Sequence, residues 1–156
     1  MTVTLREFQD GDGPALLAVH TEAILATRDE FYSAAERQSW AHGLTAAGYR
    51  RARDAGETFV LAISDGAVIG FCSWDQQRIV GLYVAPGHQG KGIGALLLSR
   101  GEQALREAGV SLSRIHASLP AVSFYEARGY VISGRFTHAS RGGLMMDDAM
   151  LEKHLT

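Results

Sequence analysis

The sequence predicts an α/β fold in one domain over residues 1–156: a central mixed β-sheet with a parallel βαβ core and helices on both faces. Three observations predict it. The runs Thr58–Ser64 and Val68–Asp75 are β-rich and joined by Asp65-Gly66, a pair that favours a tight hairpin turn. The strand-like Arg78–Val84, the helically spaced Gly92–Ala108 and the strand-like Ser113–Leu119 then follow one another, a succession normally right-handed and parallel. Finally, 46% hydrophobic and 21% charged residues are globular proportions, and 156 residues bury a core without disulfides or metals.

Each element has its own signal. Val3–Phe8 alternates apolar and polar residues, which predicts a strand, and Asp12-Gly13-Pro14 places an N-cap and a first-turn proline before a helix from Pro14 to Ala26. Ser33-Ala34-Ala35-Glu36 has capping-box spacing and opens a helix through Trp40, with another from about Ala46 to Ala55. Arg78–Val84 is apolar on both alternating sets, which predicts a central strand covered on both faces. From Gly92 to Ala108, Ile93, Leu97, Gly101, Ala104, Leu105 and Ala108 share one helix face, while Glu102 and Arg106 form an outward pair; Gly109 ends the helix. Ala121–Arg128 reads as a short helix closed by Gly129, and Tyr130–Gly134 and Leu144–Leu155 as the last strands.

Charge and cysteine usage narrow the function. Fifteen Lys and Arg against seventeen Asp and Glu give a net charge of -2, which offers no general attraction to nucleic acid or an anionic membrane. The single cysteine, Cys72, excludes an intramolecular disulfide and, inside the strand-like Gly70-Phe71-Cys72-Ser73-Trp74, reads as a packed thiol. The amino terminus from Met1 to Glu7 lacks a basic region followed by an apolar core, and a cytoplasmic protein is expected, with the oligomeric state, a homodimer included, left open. His20, His88 and His154 have no ligand-like spacing, so no metal is expected, and Arg50, Arg51 and Arg53 read as a solvated helix face.

The richest stretch is Leu82-Tyr83-Val84-Ala85-Pro86-Gly87-His88-Gln89-Gly90-Lys91-Gly92-Ile93-Gly94. Glycines between a strand and a helix start let backbone amides crowd around an anion, with the helix dipole adding attraction; the plain alternative is a tight connecting turn. A P-loop fails, because Gly87 stands three residues before Gly90 and Gly92 follows Lys91 where Ser or Thr is needed. Gly90-Lys91-Gly92-Ile93-Gly94-Ala95 satisfies a dinucleotide fingerprint literally, but Arg114-Ile115-His116-Ala117-Ser118 carries no acid for a ribose.

Gln89-Gly90-Lys91-Gly92-Ile93-Gly94 instead resembles the Q/R-x-x-G-x-G/A pyrophosphate loop of the Gcn5-related N-acetyltransferase (GNAT) superfamily, after a segment, Leu82 to Pro86, that resembles its L-Y-V-x-P strand end. Ala121-Val122-Ser123-Phe124-Tyr125-Glu126-Ala127-Arg128-Gly129-Tyr130 resembles the same family's A-x-x-F-Y-E-x-x-G-F segment. The resemblance implies a GNAT-like fold and acetyl-coenzyme A bound where the two parallel strands separate. It implies that Gln89, Gly90, Lys91, Gly92, Ile93 and Gly94 hold the pyrophosphate, mainly through amides, that Leu82, Tyr83 and Val84 pair with the pantetheine arm, and that the Val84 amide polarises the thioester carbonyl. It places Tyr125 as the general acid, against a plain core-aromatic reading, and Ser118 as a weaker hydroxyl contact to the cofactor.

The implied reaction is direct attack of a small-molecule or peptide amine on acetyl-coenzyme A. The sequence departs from the family at the general base, because Arg78–Val84 contains no Asp or Glu. Asp75 and His116, acting through water, are candidates, a turn aspartate and a satisfied strand histidine being their plain readings. Phe31, Tyr32, Trp40, His42, Trp74 and His138 are candidates for the acceptor wall. Two other readings stand beside the enzyme: a catalytically weak acyl-coenzyme A-binding sensor of the same fold, and a nicotinamide-dependent oxidoreductase resting on the fingerprint alone.

Overall fold

Hydrogen bonding divides the strands into two sheets. In the computed structural model, which describes residues 2–156, β1 (Thr4–Glu7), β2 (Thr58–Ser64), β3 (Ala67–Trp74) and β4 (Ile79–Val84) form one sheet in that order. β5 (Leu112–Ser118), β7 (Met145–His154) and β6 (Val131–Ala139) form the other, with β7 in the middle. Every ladder is antiparallel. The mixed α/β class stands, but the parallel ladder at its centre does not: β4 and β5 are joined by α4 (Ile93–Glu107) and lie side by side without pairing. Nor is β4 a central strand. Its alternating residues are apolar for different reasons: Ile79 packs under α4, Tyr83 lies on the opposite face, and Leu82 and Val84 remain partly exposed beside a cleft.

The helices cover both faces of the first sheet. α1 (Gly13–Leu25) and α3 (Ala46–Asp54) bury Leu16, Val19 and Tyr49 against Phe59, Leu61 and Phe71. On the other face α4 buries Ile93, Leu97, Leu98 and Leu105 against Val60, Ile69 and Cys72, and this core continues into the second sheet through Ile115, Ala149 and Leu151. Each fully buried Leu contributes about 2 kcal/mol by leaving water. Two close crossings require glycine. A Cβ at Gly101 would stand 2.7 Å from Ile79 Cδ1 and 3.2 Å from Cys72 Sγ, and one at Gly13 would collide with the Ala46 carbonyl where α1 crosses α3. Cys72 is a free, fully buried thiol whose pKa burial pushes up, so it packs and does not react.

Local signals explain the boundaries. Ser33 and Glu36 make the reciprocal capping box of α2 (Ala34–Ala41), and Thr45 caps α3 through the Gly48 amide. Asp65 and Gly66 both take positive φ, 50° and 76°, the geometry of a two-residue hairpin turn. Asp12 occupies the N-cap position of α1, yet its carboxylate turns back to the Gln9 amide at 2.7 Å and to Arg6 at 2.7 and 2.9 Å.

The outward Glu102–Arg106 pair does not form. Glu102 is 6% exposed and accepts hydrogen bonds from Tyr130 Oη at 2.9 Å and Lys153 Nζ at 3.0 Å, while Ser113 Oγ meets the same Tyr130 Oη at 2.8 Å. A carboxylate taken out of water requires such partners, and these tie α4 to the second sheet. Ala108, placed on the core face by spacing, is exposed in the last turn. Among the described residues no helix is long and apolar enough to cross a membrane.

Candidate active site

The site starts from the free edge of β4. Ala85 N donates to Ile69 O at 2.8 Å, so Ala85 faces β3, and antiparallel alternation turns the amides of Val84 and Leu82 to the unpaired side. Gln89 Nε2 donates to Val84 O at 3.0 Å on that side and ties the following loop to the strand end. The chain turns at Pro86–His88, passes Gly90 and Gly92 at φ 76° and 82°, and enters α4. The first bond of that helix runs from Leu96 N to Gly92 O at 3.1 Å, which leaves the amides of Ile93, Gly94 and Ala95 without intrahelical acceptors at the positive end of the dipole. A Cβ at Gly90 or Gly92 would meet nothing within 4 Å, so both glycines border open space.

That space is a cleft of about 720 Å³ between the carboxyl ends of β4 and β5. Leu82, Tyr83 and Val84 form one side, Gln89, Gly90, Gly92 and Gly94 the closed end, and Ser118, Phe124 and Tyr125 the other side. Ile93 and Lys91 do not line it: Ile93 is 3% exposed in the core and Lys91 points to solvent, so each contributes at most a backbone amide there. Gly94 lacks a side chain where a Cβ would stand 3.0 Å from Phe124 Cε1, and so lets the helix (α5, Val122–Glu126) that carries Tyr125 pack against the start of α4.

Tyr125 lines this cleft although it is only 5% exposed. Its ring packs on Phe124 at 5.1 Å and Tyr130 at 5.5 Å, and among the described residues its hydroxyl has no hydrogen-bond partner. Burial pushes its pKa well above the usual phenol value, so it stays protonated.

Among the described residues the charged side chains lining the cleft are Arg28 and Arg128, and none of the lining groups is a carboxylate. Neither arginine stands out in the sequence, since Arg28 lies in a turn and Arg128 inside a segment whose aromatics draw attention. Arg128 stacks over Phe124 at 4.1 Å, donates to Phe124 O at 3.1 Å and leaves a buried Nε without a partner.

The predicted acceptor residues separate. Trp40 and Phe31 line the cleft. Trp74 does not: it is 6% exposed in the core beside Gly101, with Arg100 over its ring at 5.5 Å. Asp75 closes the turn between β3 and β4, its Oδ1 accepting from the amides of Gln77 at 2.8 Å and Arg78 at 2.9 Å. His116 stands exposed on β5 against Phe136, with Nδ1 3.4 Å from Arg78 Nη1; desolvation and then the nearby guanidinium lower its pKa. Asp75 and His116 therefore touch neither the cleft nor the cavity described next, and a base role for them has no geometric support. Tyr32 is 2% exposed; its hydroxyl receives the Leu119 amide at 3.0 Å and lies 2.7 Å from Asp147 O and 2.9 Å from Asp148 Oδ1, which braces the end of β5. His138 pairs with the same Asp148 at 2.8 Å, and His42 does not line the cleft.

A second cavity of about 340 Å³ lies on the α1 side of β4. Val80, Gly81 and Tyr83 form its β4 wall, and Arg51, Glu57 and Arg141 are its charged groups beside the polar His20, Thr45, Tyr49 and Ser73. Among the described residues no group of three His, Cys, Asp or Glu is placed to hold a metal ion.

The acetyltransferase (GNAT) family matches residues 21–130, which include the glycine turn and Tyr125. Streptothricin acetyltransferase of Streptomyces lavendulae is 35% identical over 86 residues, 49% of this chain and 46% of that protein, so the chain aligns with about half the length of that relative. The L-amino acid N-acyltransferase MnaT of Escherichia coli (strain K12) is 26% identical over 149 residues, 85% of this chain and 82% of that protein. A crystal structure described as a GCN5-related N-acetyltransferase from Rhodopseudomonas palustris superposes with a TM-score of 0.90 at 27% identity, covering 99% of this chain and 97% of that one. With the family match spanning well over half of its residues, the chain belongs to the acetyltransferase (GNAT) family.

Proposed function

We propose that the protein transfers an acetyl group from acetyl-coenzyme A to the primary amine of a small molecule, by direct attack of the amine. One observation carries this: the cleft joins a free β-edge, three unbonded helix-start amides and cationic side chains without a carboxylate, which suits a long ligand with an anionic end. The open approach to Gly90 and Gly92 and the buried, unpartnered Nε of Arg128 fit a pyrophosphate-bearing cofactor. Family membership and N-acylating relatives support the same reading.

Bound acetyl-coenzyme A supplies an activated thioester. The amides of Ile93, Gly94 and Ala95, with those of the glycine turn, would bind phosphate oxygens, and Leu82 would offer its edge amide to the pantetheine arm. The Val84 amide would donate to the thioester oxygen and stabilise negative charge gathering there. Tyr125 Oη would donate a hydrogen bond to the sulfur as the carbon–nitrogen bond forms and the carbon–sulfur bond breaks, coenzyme A leaving as the thiolate and the amine proton passing to water, and Phe124 and Trp40 would shield the reacting atoms. The lone, buried Cys72 agrees with a cytoplasmic setting.

The sensor reading draws on the missing carboxylate in the first cleft, and turnover separates the two. Purified protein with acetyl-coenzyme A and a panel of amines should release free thiol saturably with at least one amine. Coenzyme A binding without any amine-dependent thiol release would leave the sensor.

A further inference from the structure

The second cavity has a chemistry the first cleft lacks. Tyr83 borders both: the first cleft meets β4 at Leu82–Val84, the second at Val80, Gly81 and Tyr83. Gly81 contributes no side chain to the wall, so the hollow reaches the backbone. Three charged groups line it, and none forms an ion pair among the described residues: the guanidinium of Arg141, the half-buried carboxylate of Glu57, and Arg51, which is exposed on α3 with its Nη2 turned to Thr45 Oγ1 at 3.5 Å.

Arg141 is positioned by a clasp between the β6–β7 hairpin tip and α2. Gly142 N donates to Ser39 O at 2.8 Å, Leu144 N donates to Ser39 Oγ at 3.1 Å, and Ser140 and Ser39 join their hydroxyls. Arg141 itself donates to Trp40 O, which leaves the rest of its planar donor fork for a ligand. Arg141 lines the hollow, where its charge adds to the burial that lowers the His20 pKa and opposes, without overcoming, the burial that raises those of Tyr49 and Tyr83. Burial and Arg141 bring His20 to about 3, so the imidazole is neutral and adds no cation; its Nδ1 meets Tyr49 Oη at 2.9 Å and its Nε2 has no partner. Desolvation raises the Glu57 pKa, a penalty that a bound ammonium would relieve.

We propose that this cavity is the acceptor pocket and that it selects a small primary amine carrying an anionic group, with Arg141 holding the anion and Glu57 facing the ammonium. The proposal rests on the acetyltransferase reading and adds the entry face and the substrate class. An amine entering here reaches β4 along Val80 and Gly81 and meets the thioester past Tyr83. A charged fork on an anion discriminates strongly against a ligand lacking it, by roughly 10–100-fold.

The test uses the full chain saturated with coenzyme A, after a coenzyme A titration in the same calorimeter. Amino acids are then compared with the amines that lack only the carboxylate: L-methionine with 3-(methylthio)propylamine, L-phenylalanine with phenethylamine, and L-leucine with isoamylamine. In at least one pair the carboxylated ligand should bind at least tenfold more tightly. Arg141→Met should abolish that preference without changing coenzyme A affinity, Arg141→Lys should restore part of it, and Glu57→Gln should weaken both members of the pair. Binding equal within threefold in every pair, no measurable binding of any probe, or a preference that survives Arg141→Met overturns the proposal. Failure in the preceding coenzyme A titration would instead strike the acetyltransferase reading itself, and the acceptor assignment with it.

Discussion

Replacing Tyr125 with Phe removes one oxygen from a site where that oxygen bonds to nothing in the protein. The ring contacts with Phe124 at 5.1 Å and Tyr130 at 5.5 Å survive, and no buried partner is orphaned, so the melting temperature should stay within about 2 °C of the parent. Catalysis should suffer. Because burial raises the phenol pKa well above 10, full proton transfer to a thiolate is uphill, and in the proposed reaction the hydroxyl would act chiefly as a hydrogen-bond donor to the charge developing on sulfur. A hydrogen bond to a charged group is worth about 1.5–3 kcal/mol, which corresponds to a loss of roughly 10–150-fold in kcat. The Michaelis constant for acetyl-coenzyme A should change little, since the sulfur carries that charge only as the bond breaks. Tyr125 should also add no descending limb to the rate profile up to about pH 9, because it remains protonated there. Thiol release, the Michaelis constant and thermal melting on one preparation check these points; a kcat within threefold of the parent would refute the hydroxyl's role.

Gly92→Val places a β-branched residue at φ 82°, and Gly109→Val imposes the same strain at φ 83° at the far end of α4. Both should cost stability, but only Gly92→Val should weaken coenzyme A binding, by at least about tenfold, measured where circular dichroism shows each protein folded; equal affinities in the two variants would remove the phosphate role of the turn. Lys153→Met strips Glu102 of its cation and should lower the unfolding free energy in urea by about 2 kcal/mol, below the full value of a buried pair because Lys153 is partly exposed. Adding Glu102→Leu should recover part of that loss. The Arg6 hydrogen bond depresses the Asp12 pKa, so its contribution is present above the unfolded carboxylate value near 4 and disappears as pH falls through the lower folded value. Asp12→Asn should therefore lower the melting temperature at pH 7, with the gap to the parent closing in acid.

Most element positions were legible because their signals are local. The capping box at Ser33, the Asp65-Gly66 turn and the positive-φ glycines at 109 and 129 each act within a few residues. The division into two sheets was not legible, because Leu82 and Val84 look the same in sequence whether a neighbouring strand or a ligand cleft covers them. Glu102 and Arg106 have the spacing of a solvated helical pair, and nothing nearby marks Lys153, 51 residues away, as the true partner. Trp74 and Trp40 are chemically alike as candidates for a pocket wall, but only the course of β3 under α4 buries the first. Within the cleft, the glycine turn and Tyr125 were visible as motifs. The cations were not: Arg28 and Arg128 bring no pattern, and Arg141 reaches the Trp40 carbonyl across 101 residues of chain.

The position of β7 has a consequence for how the molecule is made. The first sheet has all four of its strands once Val84 has been synthesised. β5 and β6 do not pair with each other; each pairs only with β7, which runs from Met145 to His154. At roughly 5–20 residues per second, the apolar side chains of β5 wait a few seconds on the ribosome with no ladder to join. The wall of the cleft that carries Ser118 therefore cannot set before the last strand arrives, and interrupting synthesis ahead of Met145 leaves a finished half-molecule beside two adhesive, unpaired strands.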